Sequence, residues 1–106
     1  MENLSGPEAL HALAKAAGHQ PESLILRQVR EYLQLKGWDV TRHQQGPLCR
    51  RGFPDLTAIR DGRTIYIECK TATGRLSAHQ EAFRDAIEAH GAEYIVARCL
   101  EDVVDL

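Results

Sequence analysis

The chain has 106 residues, of which 43% are apolar, and its formal net charge at neutral pH is −2. This length and composition fit one folded domain with a real core and exclude a disordered chain. No apolar run reaches the roughly 20 residues of a membrane span, and the first residues lack a basic segment followed by an apolar one. We therefore expect a cytoplasmic protein with no membrane partner.

The sequence divides into a short leader and one main domain. Residues 1–20 are expected to form a loose tail and a short Ala-rich helix, and the domain is placed at 21–106. Its order of helix, three strands, helix and strand predicts an α/β domain in which helices flank a mixed sheet of about four strands. The predicted elements are a helix from Pro21 to Lys36, a strand at 38–43, two strands joined at Asp61-Gly62, a helix from Ser77 that stops at Gly91, and a strand at 93–99.

Apolar spacing predicts the buried faces of the two helices. Glu22 precedes Ile25 by three residues and therefore lies on the apolar stripe of the first helix. There it is either a simple partner of the helix dipole or a functional acid. The residues expected to face inward are Ile25, Val29, Tyr32 and Leu33 in the first helix and Ala82, Phe83, Ala86 and Ile87 in the second.

The basic residues concentrate in the middle of the chain. Between Arg42 and Arg75, seven basic residues stand against three acidic ones, whereas the rest of the chain is net acidic. This distribution is compatible both with ordinary surface charge and with a basic face for phosphate groups.

The segment "PDLTAIRDGRTIYIECK" carries an acid in each of two strands. Asp61-Gly62 favours a two-residue type I′ turn, which pairs Arg60 with Arg63. Extending that register sets Asp55 directly opposite Glu68, with Lys70 on the same face. Lys70 either neutralises a surface patch or completes an active site. Two carboxylates and a lysine on one face are the groups needed for Mg²⁺-assisted phosphodiester hydrolysis.

These residues resemble the PD-(D/E)xK nuclease superfamily, with the motif at Pro54-Asp55 and Glu68-Cys69-Lys70. Three further segments, "GFPD" (52–55), "GRLSAHQ" (74–80) and "EYIVARCLEDVVDL" (93–106), are similar to the VRR-NUC family, in particular its small stand-alone members in phages and bacteria. The resemblance covers residues 22–106. One departure is Cys69, where the family more often has an aliphatic residue.

The resemblance implies a restriction-endonuclease-like core and a set of site residues. Asp55 and Glu68 would bind Mg²⁺ or Mn²⁺, together with the backbone carbonyl of Cys69 and with Glu22, in part through water. Lys70 would be the catalytic lysine. Gln80 would lie close to the active site, although it also fits the third position of a capping box that begins at Ser77.

The family further implies an endonuclease that cleaves branched DNA, such as Holliday junctions, as a homodimer. Arg50, Arg51 and Arg75 are candidate phosphate ligands or, equally, solvated loop residues. Two alternatives stay open: a non-catalytic DNA-binding module with the same fold, and a nuclease with another substrate, such as a restriction-type enzyme or an RNase.

Overall fold

The structure, a computed structural model, describes residues 20–106. The tail and short helix predicted at 1–20 lie outside the described residues, apart from Gln20. The elements are α1 (Glu22–Leu35), β1 (Asp39–Arg42), β2 (Leu56–Arg60), β3 (Arg63–Cys69), α2 (Ala78–Ala89), β4 (Glu93–Ala97) and a final 3₁₀ turn (Leu100–Val103).

The four strands form one mixed sheet in the order β1-β2-β3-β4. The first three strands are antiparallel, and β4 runs parallel to β3, so α2 is the crossover between them. Asp61 and Gly62 both have positive φ, 51° and 79°, as a type I′ turn requires. The predicted α/β fold and hairpin register are therefore confirmed.

The helices cover opposite faces of the sheet. On one face α1 packs the fully buried Ile25, Val29 and Leu33 against the alternate strand residues Leu56, Ala58, Ile65, Ile67 and Cys69. On the other face the Phe83 ring of α2 lies 5.6 Å from the ring of Tyr66 and 6.3 Å from that of Tyr94. The acids of the hairpin belong to this second, less completely covered side.

The prediction that Ala82 and Ala86 face inward is wrong, because both are exposed. Phe83 is the buried residue of α2 and Ile87, one turn later, is half-buried, so the face of α2 that is shielded from solvent is narrower than the predicted one. No helix among residues 20–106 has the length and apolar character to cross a membrane.

Candidate active site

The site begins where pairing between β2 and β3 ends. The last ladder pair is Leu56 with Ile67, one step short of the predicted pair of Asp55 and Glu68. Pro54, the next residue outward, has no N–H with which to continue the ladder. The backbone N–H of Cys69 instead donates a hydrogen bond to Oδ2 of the Asp55 side chain, with an N–O distance of 2.8 Å. Both acids thus remain at this end of the hairpin, although they do not form a regular cross-strand pair.

Backbone pairing with β1 fixes the position of Asp55. The N–H of His43 donates to the Asp55 carbonyl oxygen at 2.8 Å, which continues the β1–β2 register by one residue. Asp55 is therefore held through its backbone on one side and through its carboxylate on the other. Such double attachment orients a functional side chain before any ligand binds.

Three carboxylates meet at this point. One oxygen each from Glu22, Asp55 and Glu68 lie within 4.8 Å of one another. Glu22, in the first turn of α1, is exposed, Asp55 is half-buried, and Glu68 is only 1% exposed. The cluster therefore runs from solvent to the interior, with Glu68 at its inner end.

Glu68 has fewer partners than a buried carboxylate requires. Its Oε1 accepts a hydrogen bond from Gln80 Nε2 at 3.1 Å and lies 4.0 Å from Lys70 Nζ. Its Oε2 is buried and has no hydrogen-bond partner among the described residues. Burial, and next the adjacent Asp55 carboxylate, raise the pKa of Glu68 to about 8. Without a cation, burial and the adjacent carboxylate therefore favour the protonated form of Glu68.

The donor set fits a hard divalent cation. Carboxylate oxygens are the protein ligands that Mg²⁺ and Mn²⁺ prefer, and Mg²⁺ typically takes one or two of them. A cation beside Glu68 Oε2 would give that oxygen a partner. It would also offset the repulsion among the three carboxylates, near which Lys70 provides a positive charge. The residues thus support a divalent metal site, without indicating which metal binds.

Cys69, between the two charged residues, contributes no thiol chemistry. Its side chain is fully buried on the α1 face of the sheet. Burial, and next the charge of Asp55, raise the pKa of the Cys69 thiol far above its ordinary range, so the thiol stays neutral. Only its backbone groups face the site end of the hairpin.

The Gln80 side chain takes part in a capping box and also contacts Glu68. Its side-chain Oε1 accepts from the Ser77 N–H at 2.8 Å, and its own N–H donates to Ser77 Oγ at 3.2 Å, which closes a capping box. Its Nε2 donates to Glu68 Oε1. The start of α2 is therefore connected directly to the innermost carboxylate.

Gly52, which the sequence indicated only as the first residue of "GFPD" and not as a site residue, lets the loop approach α2. Its φ is +78°, and a Cβ built there would lie 2.1 Å from the His79 carbonyl oxygen and 2.8 Å from the Gln80 nitrogen. No other residue fits without moving the first turn of α2, which carries Gln80. In the sequence, the glycine at the start of "GFPD" is the feature that could have indicated this close approach.

Arg98 was also missed. Its Nη1 donates to the carbonyl oxygens of Thr71 at 2.8 Å and Gly74 at 2.6 Å. These bonds fix the loop that follows Lys70. An arginine just after a buried strand has no sequence pattern that would reveal such long-range backbone contacts.

The three candidate phosphate ligands are placed differently. The Arg50 guanidinium lies 4.6 Å from the centre of the Phe83 ring, and Arg51 Nη1 lies 3.4 Å from His79 Nε2. Both therefore flank the start of α2. Arg75 is exposed in the loop held by Arg98. Their role in DNA binding stays a prediction.

The fold and the acidic cluster together are those of a nuclease-type α/β domain. Residues 19–100 match the family model of the VRR-NUC domain, and the chain belongs to the VRR-NUC family. A solved structure described as a VRR_NUC domain has a TM-score of 0.69, with 22% identity, and the match covers 79% of this chain and 89% of that one. This structural likeness supports the fold.

A curated relative matches over a shorter stretch. It is described as "UPF0102 protein" from Synechococcus sp. (strain JA-3-3Ab), and it is 43% identical over 47 residues. The matched stretch is 44% of this chain and 34% of the relative. The chain thus spans about a third of that relative's length.

Proposed function

We propose that this chain is a divalent-metal-dependent endonuclease that hydrolyses phosphodiester bonds in DNA at Asp55, Glu68 and Lys70. The observation that carries the proposal is the state of Glu68, a buried carboxylate beside two further acids and a lysine, one of whose oxygens has no partner in the described part of the chain. A purely structural acid in such a place would be costly, whereas a ligand for a cation gains from it.

The metal would be held by Asp55 and Glu68, with Glu22 at the exposed side and the Cys69 carbonyl as the remaining family position. Mg²⁺ or Mn²⁺ supplies Lewis-acid polarisation of a phosphoryl oxygen when bound. Gln80 keeps Glu68 in place through its hydrogen bond to Oε1. Asp55 is kept in place by the N–H groups of Cys69 and His43.

Lys70 is the cationic group nearest to Glu68, at 4.0 Å, and it is half-buried. Its ammonium can donate hydrogen bonds to the attacking water and to a phosphate oxygen as negative charge develops there. In the overall reaction the water oxygen forms a bond to phosphorus and the P–O bond to the leaving strand breaks. The departing oxygen then takes up a proton.

Branched DNA and a homodimer complete the proposal. They rest on the similarity to small stand-alone VRR-NUC proteins and on the number of acidic clusters in the described residues. Residues 20–106 hold one cluster of three acids, so two cuts on one junction require two chains.

The test is cleavage of a labelled four-way junction, with linear duplex and single strand of the same sequence as comparison substrates. We expect Mg²⁺-dependent cleavage that EDTA abolishes, and no cleavage by Glu68→Ala. Glu88→Gln, on the exposed side of α2, is the control and should cut normally. Full cutting by Glu68→Ala in Mg²⁺ would overturn the site. Metal-independent DNA binding without any cutting would identify a non-catalytic DNA-binding module.

A further inference from the structure

Three adjoining cavities form a groove along β1 that passes Asp55. The first, of about 430 Å³, lies between α1 and β1 and is lined in part by Ser23, Arg27, Arg30 and Arg42. The second, of about 690 Å³, shares Arg30 and Arg42 with the first and reaches Asp55. Both volumes are in the range of ligand sites. We call this path the β1 groove.

The β1 groove continues beyond Asp55. A third cavity, of about 330 Å³, shares Arg42 and residues 43–45 with the second and ends at Arg50 and Phe53. Arginines therefore line both ends of the path, while the acid of the candidate active site lies in its middle section. An extended ligand could occupy the whole path, whereas a compact one could not contact both ends.

The arginines at the α1 end lack acidic partners. Within residues 20–106, no ion pair or hydrogen bond of the side chains of Arg27, Arg30 or Arg42 is found. Other arginines of the chain do have such partners, for example Arg63 with Glu93. Arg30 is moreover half-buried, and a partly desolvated guanidinium without an anion is unfavourable. Glu31 is the one acid that lines the first cavity.

The second cavity brings Arg42 and Asp55 to one surface, although their side chains leave opposite faces of the sheet. Arg42 pairs with Leu56 in the β1–β2 ladder, so its side chain lies on the α1 face, where it lines the first cavity. His43 continues the ladder to Asp55 on the other face. At this end of β1 the second cavity is lined by Arg30, Arg42 and Asp55 together. An anion bound by Arg42 and Arg30 would therefore share that cavity with a phosphate positioned at Asp55.

We propose that the β1 groove binds the phosphodiester backbone of one nucleic-acid strand, and that Arg30 and Arg42 hold the phosphate next to the one that is cut. The inference rests on the proposed function, which it deepens by naming the path of the strand. Guanidinium groups bind phosphate through paired hydrogen bonds and carry no sequence information by themselves. The binding is therefore independent of base sequence and sensitive to salt.

The test uses the full chain with the double variant Arg30→Gln/Arg42→Gln. Its matched control is Arg60→Gln/Arg84→Gln, which removes the same charge outside the groove. Affinity for a labelled 20-nucleotide single strand and for a four-way junction is measured in Ca²⁺, at several salt concentrations. We expect the groove variant to lose about 10- to 100-fold in affinity and its salt slope to fall by about 2. The control should stay within about twofold of the wild type.

Two further measurements separate the possible failures. Arg30→Lys/Arg42→Lys keeps the charge and should retain the wild-type salt slope, while melting curves check that each variant is folded. Equal losses in the groove and control variants, or an unchanged salt slope, would overturn the inference while leaving Mg²⁺-dependent cleavage intact. A third outcome is that the wild-type chain never cuts DNA while the groove variant, and not the control variant, binds DNA more weakly. That result would overturn the proposed function and support nucleic-acid binding in the β1 groove.

Discussion

The two ends of the hairpin formed by β2 and β3 both carry charged side chains, and the two ends differ in how those charges are partnered. At the turn end, Arg63 donates two hydrogen bonds of 2.8 Å to Glu93, and Arg60 Nε lies 3.4 Å from the Asp61 carboxylate. These groups are exposed or half-buried, and each acid has a base. At the open end, three carboxylates converge and Lys70 is the nearest base, 4.0 Å from Glu68.

This difference shows which end depends on something outside the chain. Exposed pairs at the turn contribute little to stability and cost little to form, because water solvates them in either state. At the open end Glu68 is 1% exposed, and one of its oxygens has no hydrogen-bond partner within residues 20–106. A buried charge of this kind must be neutralised by a proton or by a cation. The open end is therefore the part of the hairpin at which we propose that a cation binds.

The largest effect is expected on the rate of cleavage when one acid is neutralised at each end of the hairpin. Asp55→Asn removes the charge of a proposed metal ligand and should lower the rate of cleavage by at least about 10³-fold, or about 4 kcal/mol of transition-state stabilisation. Asp61→Asn removes a carboxylate at the turn, where asparagine is equally compatible with a type I′ conformation, and should leave the rate unchanged. Single-turnover cleavage assays measure both. Similar rates for the two variants would contradict the assignment of Asp55.

The next largest effect is expected on stability and distinguishes two glycines, Gly52 and Gly62, whose φ angles are nearly equal. Gly52→Ala combines a left-handed conformation with a Cβ 2.1 Å from the His79 carbonyl oxygen, and it should lower the free energy of unfolding by roughly 2–5 kcal/mol. Gly62→Ala, at the turn, has open space around the new Cβ and should lose only about 1–2 kcal/mol. Denaturant unfolding measures both values.

The glycine pair also tests how Glu68 is held. Displacement of the first turn of α2 should move Gln80 away from Glu68, so folded Gly52→Ala protein should cleave more slowly than Gly62→Ala protein. Equal stabilities and equal rates for the two variants would show that the contact between Gly52 and α2 is unimportant.

The smallest effect concerns pH and has opposite signs at the two ends. In metal-free protein the pKa of Glu68 is raised from 4.5 to about 8, so the contribution of Glu68 to stability is highest below pH 4.5 and is lost as pH rises through about 8. Glu68→Gln should therefore raise the free energy of unfolding by roughly 1–3 kcal/mol at pH 8.5 and have little effect at pH 4.

Glu93 at the turn end provides the contrast. Its hydrogen bonds with Arg63 lower the pKa of Glu93, so the stability that it contributes is present above its ordinary pKa and is lost as pH falls. Glu93→Gln should therefore destabilise slightly at pH 8.5. Urea unfolding in EDTA at the two pH values measures both variants. A destabilising Glu68→Gln at pH 8.5 would contradict the assigned cause of the pKa shift.

Local chemistry allowed much of this fold to be predicted. Asp61-Gly62 determines the turn type and with it the register that brings Asp55 and Glu68 together. The spacing of Ile25, Val29 and Leu33 predicts the buried face of α1 and the position of Glu22. Each of these signals lies within a few residues of the feature that it predicts.

Contacts between distant segments could not be predicted in the same way. Three features depend on how whole elements pack. They are the approach of Gly52 to α2, the hydrogen bonds of Arg98 to the loop after Lys70, and the presence of Arg30 and Arg42 in the lining of one cavity. The inward orientation predicted for Ala82 and Ala86 is wrong for the same reason. Helical spacing gives the apolar side of a helix but not the width of its contact with the sheet.

The most direct test of the metal site is a crystal of the wild-type chain grown with Mn²⁺, with anomalous diffraction used to locate the ion. We predict an anomalous peak within bonding distance of carboxylate oxygens of both Asp55 and Glu68, and loss of that peak in Asp55→Asn crystals. Ordered Mn²⁺ found only elsewhere on the protein, with Glu68 still unpartnered, would contradict it.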